Sequence, residues 1–269
     1  MWKSGVWAVA ASLAMVAWIA YGNLAEDEAA AGTAFRSVGG TDSGVEQAAL
    51  ESLLSETHAV LRSEAFERNL AALDRRHPVV YANPQRQSLA PSEVAEIVAL
   101  KKPGARYGRV EVQLVGGRQD PGGWVHASAG EMGESGRYAG MAIGRGFLEL
   151  YRSSDVVERS CAINVAAHEY AHTISTTPIW FTHAFTDTTA RQAKIPNRRH
   201  PGTPVASYLI GSVAQCTWLQ AQGRIAASDV PACVEVFGTA AANDARCRQF
   251  RNGQPVALRP DLAPAASPL

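Results

Sequence analysis

The run VAAHEYAHTIS (residues 165–175) places His168, Glu169 and His172 among alanines, in a segment that otherwise reads as a buried helix. In a helix, residues i and i+4 project from the same face, so His168 and His172 are set to share one ligand. Glu169 is turned about 100° further round, beside that ligand rather than in line with the two imidazoles. Burying three polar groups on an apolar helix is costly unless something organises them. Two arrangements would do so: a core cluster of mutual hydrogen bonds, or a shared metal ion. Imidazole is a good zinc ligand, and H-E-x-x-H on a helix is the pattern in which two histidines bind zinc while the glutamate acts as a base. On that reading His168 and His172 bind Zn2+, and Glu169 takes a proton from water and delivers it to a leaving amine.

The residues on either side place the motif. Asp155 and Glu158 have capping-box spacing, which predicts a helix from about residue 155 through 173. Pro178 then ends the following turn. Upstream the period changes to two: YGRVEVQLV (107–115) reads as a strand, GGWVHAS (122–128) as a second, and YAGMAIGRGFLELY (138–151) as a third leading into a turn. Downstream, residues 204–223 form an apolar helix that stops at a glycine. Before the strands, Leu50, Leu53, Leu54, Leu61, Phe66, Leu70 and Leu73 recur at helical spacing, predicting one long or broken amphipathic helix. Pro78 and Pro84 interrupt it, and residues 91–104 read as a short helix. Helices, then strands, then helices indicate an α+β fold. There is no internal repeat.

The chain has 269 residues, is 46% hydrophobic and 19% charged, and has a formal net charge of +0. Nothing in that balance calls for a nucleic-acid partner. Lys3 precedes an apolar or weakly polar run, residues 5–21, and Glu26, Asp27 and Glu28 follow. That charge order predicts export, through a cleaved signal peptide or an N-terminal membrane anchor, with the body of the protein periplasmic, secreted or membrane-anchored outside the cytoplasm. The four cysteines, Cys161, Cys216, Cys233 and Cys247, suit two disulfides in such a compartment. Cys233 with Cys247 and Cys161 with Cys216 are the favoured pairs. None forms a C-x-x-C, so a cysteine zinc cluster is not indicated.

MAIGRGFLELYRSSDVVERSCAINVAAHEYAHT (141–173) resembles the strand–turn–helix of zincin metallopeptidases, especially gluzincins. PIWFTHAFTD (178–187) is similar to the W-x-x-E-G-x-A segment that follows H-E-x-x-H in aminopeptidase-type gluzincins, where the glutamate is the third zinc ligand. Aligning Trp180 with that tryptophan puts His183 in the glutamate's place and Ala184 in the glycine's. The resemblance therefore implies zinc bound by His168, His172 and His183, with Asp187 as the alternative third ligand or the hydrogen-bond partner of His183. His200, Glu235 or no third protein ligand are the remaining choices. It also implies a zincin-like α+β fold, with a small mixed or antiparallel sheet packed on the H-E-x-x-H helix and helices flanking it.

The domain reading is a signal or anchor at 1–22, a linker at 23–44, a helical N-terminal segment at 45–104, a catalytic domain at 105–250 and a flexible tail at 251–269. The function expected is an exported zinc metallopeptidase acting on a peptide or protein substrate; the alternative is a catalytically inactive zincin-like binding module of the cell envelope. Tyr208, His200, Arg198 and Arg199 are candidates to grip an oxyanion or a substrate carboxylate, although PNRRHPGTP also reads as an exposed basic loop. Tyr170, Trp180 and Trp218 read as core residues. No phosphate loop and no G-x-S-x-G is present.

Overall fold

The structure is a computed structural model and describes residues 35–73, 79–80, 88–99, 106–107, 110–116, 128–132, 139–175, 185 and 206–237. These belong to one unit that begins at Phe35. The expected signal or anchor, residues 1–22, and tail, 251–269, lie outside the described residues. No described helix is long and apolar enough to cross a membrane.

The last part of the expected linker is a strand, β1 (Phe35–Gly39). Its five residues, FRSVG, are too few to stand out from the Ala- and Gly-rich stretch around them. It turns into the first helix at Gly40, whose φ of +81° suits glycine and whose missing Cβ lets the chain lie against the Leu114 carbonyl. Helix α1 (Gly44–Leu61) starts at Ser43, whose Oγ accepts from the Glu46 N–H, while the Glu46 carboxylate accepts from the Asp42 N–H. The apolar run of residues 45–73 is broken because Ser63 opens a second helix, α2 (Glu64–Ala71), by accepting from the Phe66 N–H. Leu50, Leu53, Leu54, Leu61, Phe66, Leu70 and Leu73 are all buried.

A two-residue antiparallel pair, β2 (Val79–Val80) with β3 (Ser88–Leu89), leads to α3 (Pro91–Val98), which has proline in its first turn. Then come β4 (Arg106–Tyr107), β5 (Val110–Val115), β6 (Ser128–Met132) and β7 (Ala139–Gly144). Beyond β7 the third expected strand ends early. Residues Arg145–Tyr151 form helix α4, because Phe147, Leu148, Leu150 and Tyr151 are buried at helical rather than alternating spacing. Helix α5 (Val156–His172) carries the H-E-x-x-H, and β8 (Ile174–Ser175) pairs antiparallel with β4. Helix α6 (Ala206–Ala221) and helix α7 (Val230–Phe237) complete the described chain.

The main sheet has the order β1-β5-β7-β6. β1, β5 and β7 run parallel, and β6 is the antiparallel outer strand. The molecule is therefore α+β, mostly helical, with a small mixed sheet. In register, Val112 faces Met141 and Leu114 faces Ile143, all buried. Arg145 ties the sheet to α1. Its guanidinium pairs with Asp42 at 3.0 Å and Glu46 at 3.5 Å, and donates to the carbonyls of Gly40 and Gly116.

Helix α5 packs against α1, α4, α6 and the β6–β7 end of the sheet. Helix α6 packs against α5, α7, α2 and α1. Helix α1 thus packs directly on the H-E-x-x-H helix, and α2 packs on α6. Asn69 of α2 donates to Thr217 and Gln220 of α6, and Trp218 of α6 donates to Glu56 of α1.

The cysteine pairing differs from the expected one. Cys216 of α6 is bonded to Cys233 of α7, with Cα atoms 6.0 Å apart. Cys161 is also disulfide-bonded. The physical reason is which neighbour α6 presents to each side: Cys216 faces α7, while toward Cys161 it presents Gln215, whose amide lies 3.7 Å from the sulfur.

Candidate metal centre

Helix α5 begins where the sequence indicated. The Asp155 carboxylate accepts from the N–H groups of Val157 and Glu158 and fixes the first turn. Seventeen residues later the helix ends at His172, with Thr173 as its C-cap. His168, Glu169 and His172 therefore occupy its last turns, near the end where unpaired carbonyls carry partial negative charge and favour a cation. His168 and Glu169 are each 7% exposed, and His172 is half-buried.

The helix brings the two imidazoles to one point. His168 Nε2 and His172 Nε2 are 3.3 Å apart, with ring planes at 90°. Two nitrogens bound tetrahedrally to one zinc at ~2.0–2.1 Å are about 3.3 Å apart, so the pair has the edge that such a site needs. Glu169 Oε1 is 3.6 Å from His168 Nε2. The donor atoms of His168, Glu169 and His172 all lie within 4.8 Å of one another and form a group able to hold a metal ion.

The orientation of His172 is set by the main chain. Its Nδ1 is 3.1 Å from the Phe185 carbonyl oxygen. A carbonyl only accepts, so Nδ1 carries the proton and Nε2 presents its lone pair. Where histidines do bind a metal, an outer hydrogen bond of this kind fixes their tautomer. Phe185 itself is fully buried. His183 and Asp187 are each two residues from Phe185 in sequence, and both lie outside the described residues, as do Trp180, Arg198, Arg199 and His200. Glu235 is exposed on α7 and is not part of the metal-capable group.

Helix α6 closes the other side. Gly211 lies so close to α5 that a Cβ there would be 2.5 Å from Asn164 Oδ1, 2.8 Å from the Asn164 carbonyl oxygen and 3.2 Å from His168 Cβ. Below that crossing, Asn164 Nδ2 donates to Gln215 Oε1 at 2.6 Å, and Gln215 Nε2 donates to Ser160 Oγ at 2.9 Å. Buried polar groups so paired fix one helix against the other. Tyr208 lies against His168, with ring centroids 4.4 Å apart. On the far side of α5, Tyr170 is fully buried with its ring edge-on to His58 at 6.2 Å, and Trp218 is buried in α6; both are core residues, as the sequence indicated.

The sequence reading found the three polar residues of the motif but missed their supports. Ser160, Asn164, His168 and His172 recur every four residues, one polar stripe along a helix. Only the last two members stood out, because only they belong to a known metal pattern. The Phe185 carbonyl carries no side-chain signal at all. Comparison of the chain with protein-family models, with curated proteins and with solved structures gives no match in any of the three.

Proposed function

We propose that this protein is an exported zinc metallopeptidase, hydrolysing peptide bonds in a peptide or protein substrate on a zincin-like α+β scaffold. The observation that carries the proposal is the convergence of His168 Nε2 and His172 Nε2, 3.3 Å apart, with a carboxylate oxygen of Glu169 beside them at the end of a buried helix. A core cluster of two histidines needs no third polar residue next to it; a hydrolytic site does need a base there.

His168 and His172 would hold the zinc, and the resemblance of residues 178–187 to gluzincins supplies His183, or alternatively Asp187, as the completing ligand. Zinc, when bound, supplies a Lewis acid that acidifies water and polarises a carbonyl. The chain supplies the rest. Glu169 accepts a proton from the attacking water as its oxygen bonds to the scissile carbonyl carbon, and it returns that proton to the amine as the C–N bond breaks. Burial and a fixed helical backbone keep that carboxylate within reach of the reacting atoms. The outer strand β6, which packs near α5, offers a sheet edge of the kind that aligns an extended peptide. Export is supported by the charge order around residues 5–21 and by the absence of free cysteines among the described residues.

The test is Glu169→Gln in the full chain, assayed on a quenched fluorescent peptide library with zinc content measured in parallel. The variant should keep its zinc and lose about 10²–10⁴-fold in turnover. A wild-type protein that holds zinc and cleaves nothing in the library would replace the peptidase reading with that of a zinc-holding binding module.

A further inference from the structure

An imidazole turns about its outer torsion over a broad range unless something covers its face. Such a turn would swing Nε2 of His168 away from the point it shares with Nε2 of His172. The His172 ring is held at its Nδ1 by the Phe185 carbonyl. His168 is held differently. Its ring meets His172 edge-on at 4.9 Å and 90°. Its face meets Tyr208, with centroids 4.4 Å apart and planes inclined by only 38°.

Tyr208 and Gly211 are three residues apart on α6 and so share one face of that helix. The missing Cβ of Gly211 permits the close crossing over Asn164 and His168, and the crossing carries the Tyr208 ring onto the imidazole. One turn further along, the Gln215–Asn164 bond keeps the two helices in register. Tyr208 thus meets the His168 ring directly, while Gly211 and Gln215 set how α6 lies on α5.

We infer that Tyr208 is a positioning residue of the metal centre, its aromatic ring packing on the His168 imidazole and fixing the direction of Nε2. This rests on the metal reading above. The action belongs to the ring face rather than the phenol hydroxyl, so phenylalanine replaces tyrosine and an aliphatic residue of similar volume does not. Tyr208 itself is half-buried.

The experiment is a Co(II) titration of the full chain against a competing chelator, with the visible d–d spectrum recorded, for wild type, Tyr208→Phe and Tyr208→Leu. Thermal unfolding of the metal-free proteins is run beside it. Tyr208→Phe should match wild type in affinity and spectrum. Tyr208→Leu should bind Co(II) about 10-fold or more weakly, the range for groups that orient a ligand, with an altered d–d band and a metal-free midpoint close to wild type. Equal affinity and spectrum in Tyr208→Leu would overturn the inference, and so would an equal loss in Tyr208→Phe, which would move the role to the hydroxyl. If Tyr208→Leu does not fold, the wild type decides: ring-current shielding should place the His168 ring protons upfield of those of His172, and their coincidence would overturn the stack. Wild type that binds no Co(II) overturns the metal reading itself, an outcome distinct from any of these.

Discussion

His172 meets the Phe185 main-chain carbonyl and His168 the face of Tyr208, so the two histidines of the motif answer in part to different parts of the chain. The carbonyl belongs to Phe185, midway in sequence between the two candidates for the third ligand. Zinc content of His183→Ala and Asp187→Ala separates them. The resemblance to gluzincins predicts that His183→Ala loses most of its zinc, and that Asp187→Ala keeps the metal with affinity reduced about 10–100-fold as a supporting partner. Retention of full affinity by both would place the third ligand elsewhere. At this scale the motif was legible because helix geometry converts spacing into proximity: four residues of separation is enough to know that two imidazoles share a face. The choice between His183 and Asp187 was not, because after β8 no periodicity ties sequence position to place. The Phe185 carbonyl, which meets His172, is announced by no side-chain pattern.

Helix α5 acts through its contacts on both sides. Toward α6, Gly211 crosses close to Asn164, and Gly211→Ala would put a methyl group 2.5 Å from Asn164 Oδ1 and 2.8 Å from the Asn164 carbonyl oxygen. Backbone cannot yield as a side-chain tip can, so the variant should lose about 1–3 kcal/mol of stability. It should also bind zinc more weakly, because the helices part at His168; urea midpoints and metal titration check the two effects. Unchanged midpoints would mean that the crossing relaxes freely. Toward α1, His58 lies edge-on to Tyr170. Burial, with the Arg62 charge adding to it, holds the His58 pKa below its ordinary 6.5. The unfolded chain then takes up a proton as pH falls through 6.5 while the folded chain does not. Stability is full above 6.5 and declines below it. His58→Gln should therefore lose less stability than wild type between about pH 7.5 and about pH 5.5; an identical loss would show that His58 does not contribute. The helices themselves were legible from caps and apolar spacing: Asp155 and Gly223 mark ends that the structure keeps. What failed were the short strand β1, visible only through its sheet partner, and the start of α4, where a glycine-containing run reads equally well as the end of a strand.

Across the whole molecule the N-terminal helices, the mixed sheet and the H-E-x-x-H helix share one core, with α5 in contact with each layer. The Cys216–Cys233 bond fastens α7 to α6, the helix that carries Tyr208, Gly211 and Gln215. Its loop of 17 residues is of a length for which a disulfide contributes about 3 kcal/mol by constraining the unfolded chain. The overall class was legible because it follows from the order of elements; the cysteine pairing was not, because four cysteines allow three pairings and only the packing of α6 selects one. All of this framework bears on two nitrogens and a carboxylate. The most direct measurement is therefore the zinc content of the purified full chain, wild type beside His168→Ala, after reconstitution under oxidising conditions. One zinc per wild-type chain, lost in the variant, is the result the metallopeptidase account predicts. A folded wild type without zinc would contradict it: the two imidazoles would then share a proton as a core pair, and Glu169 would have no water to activate.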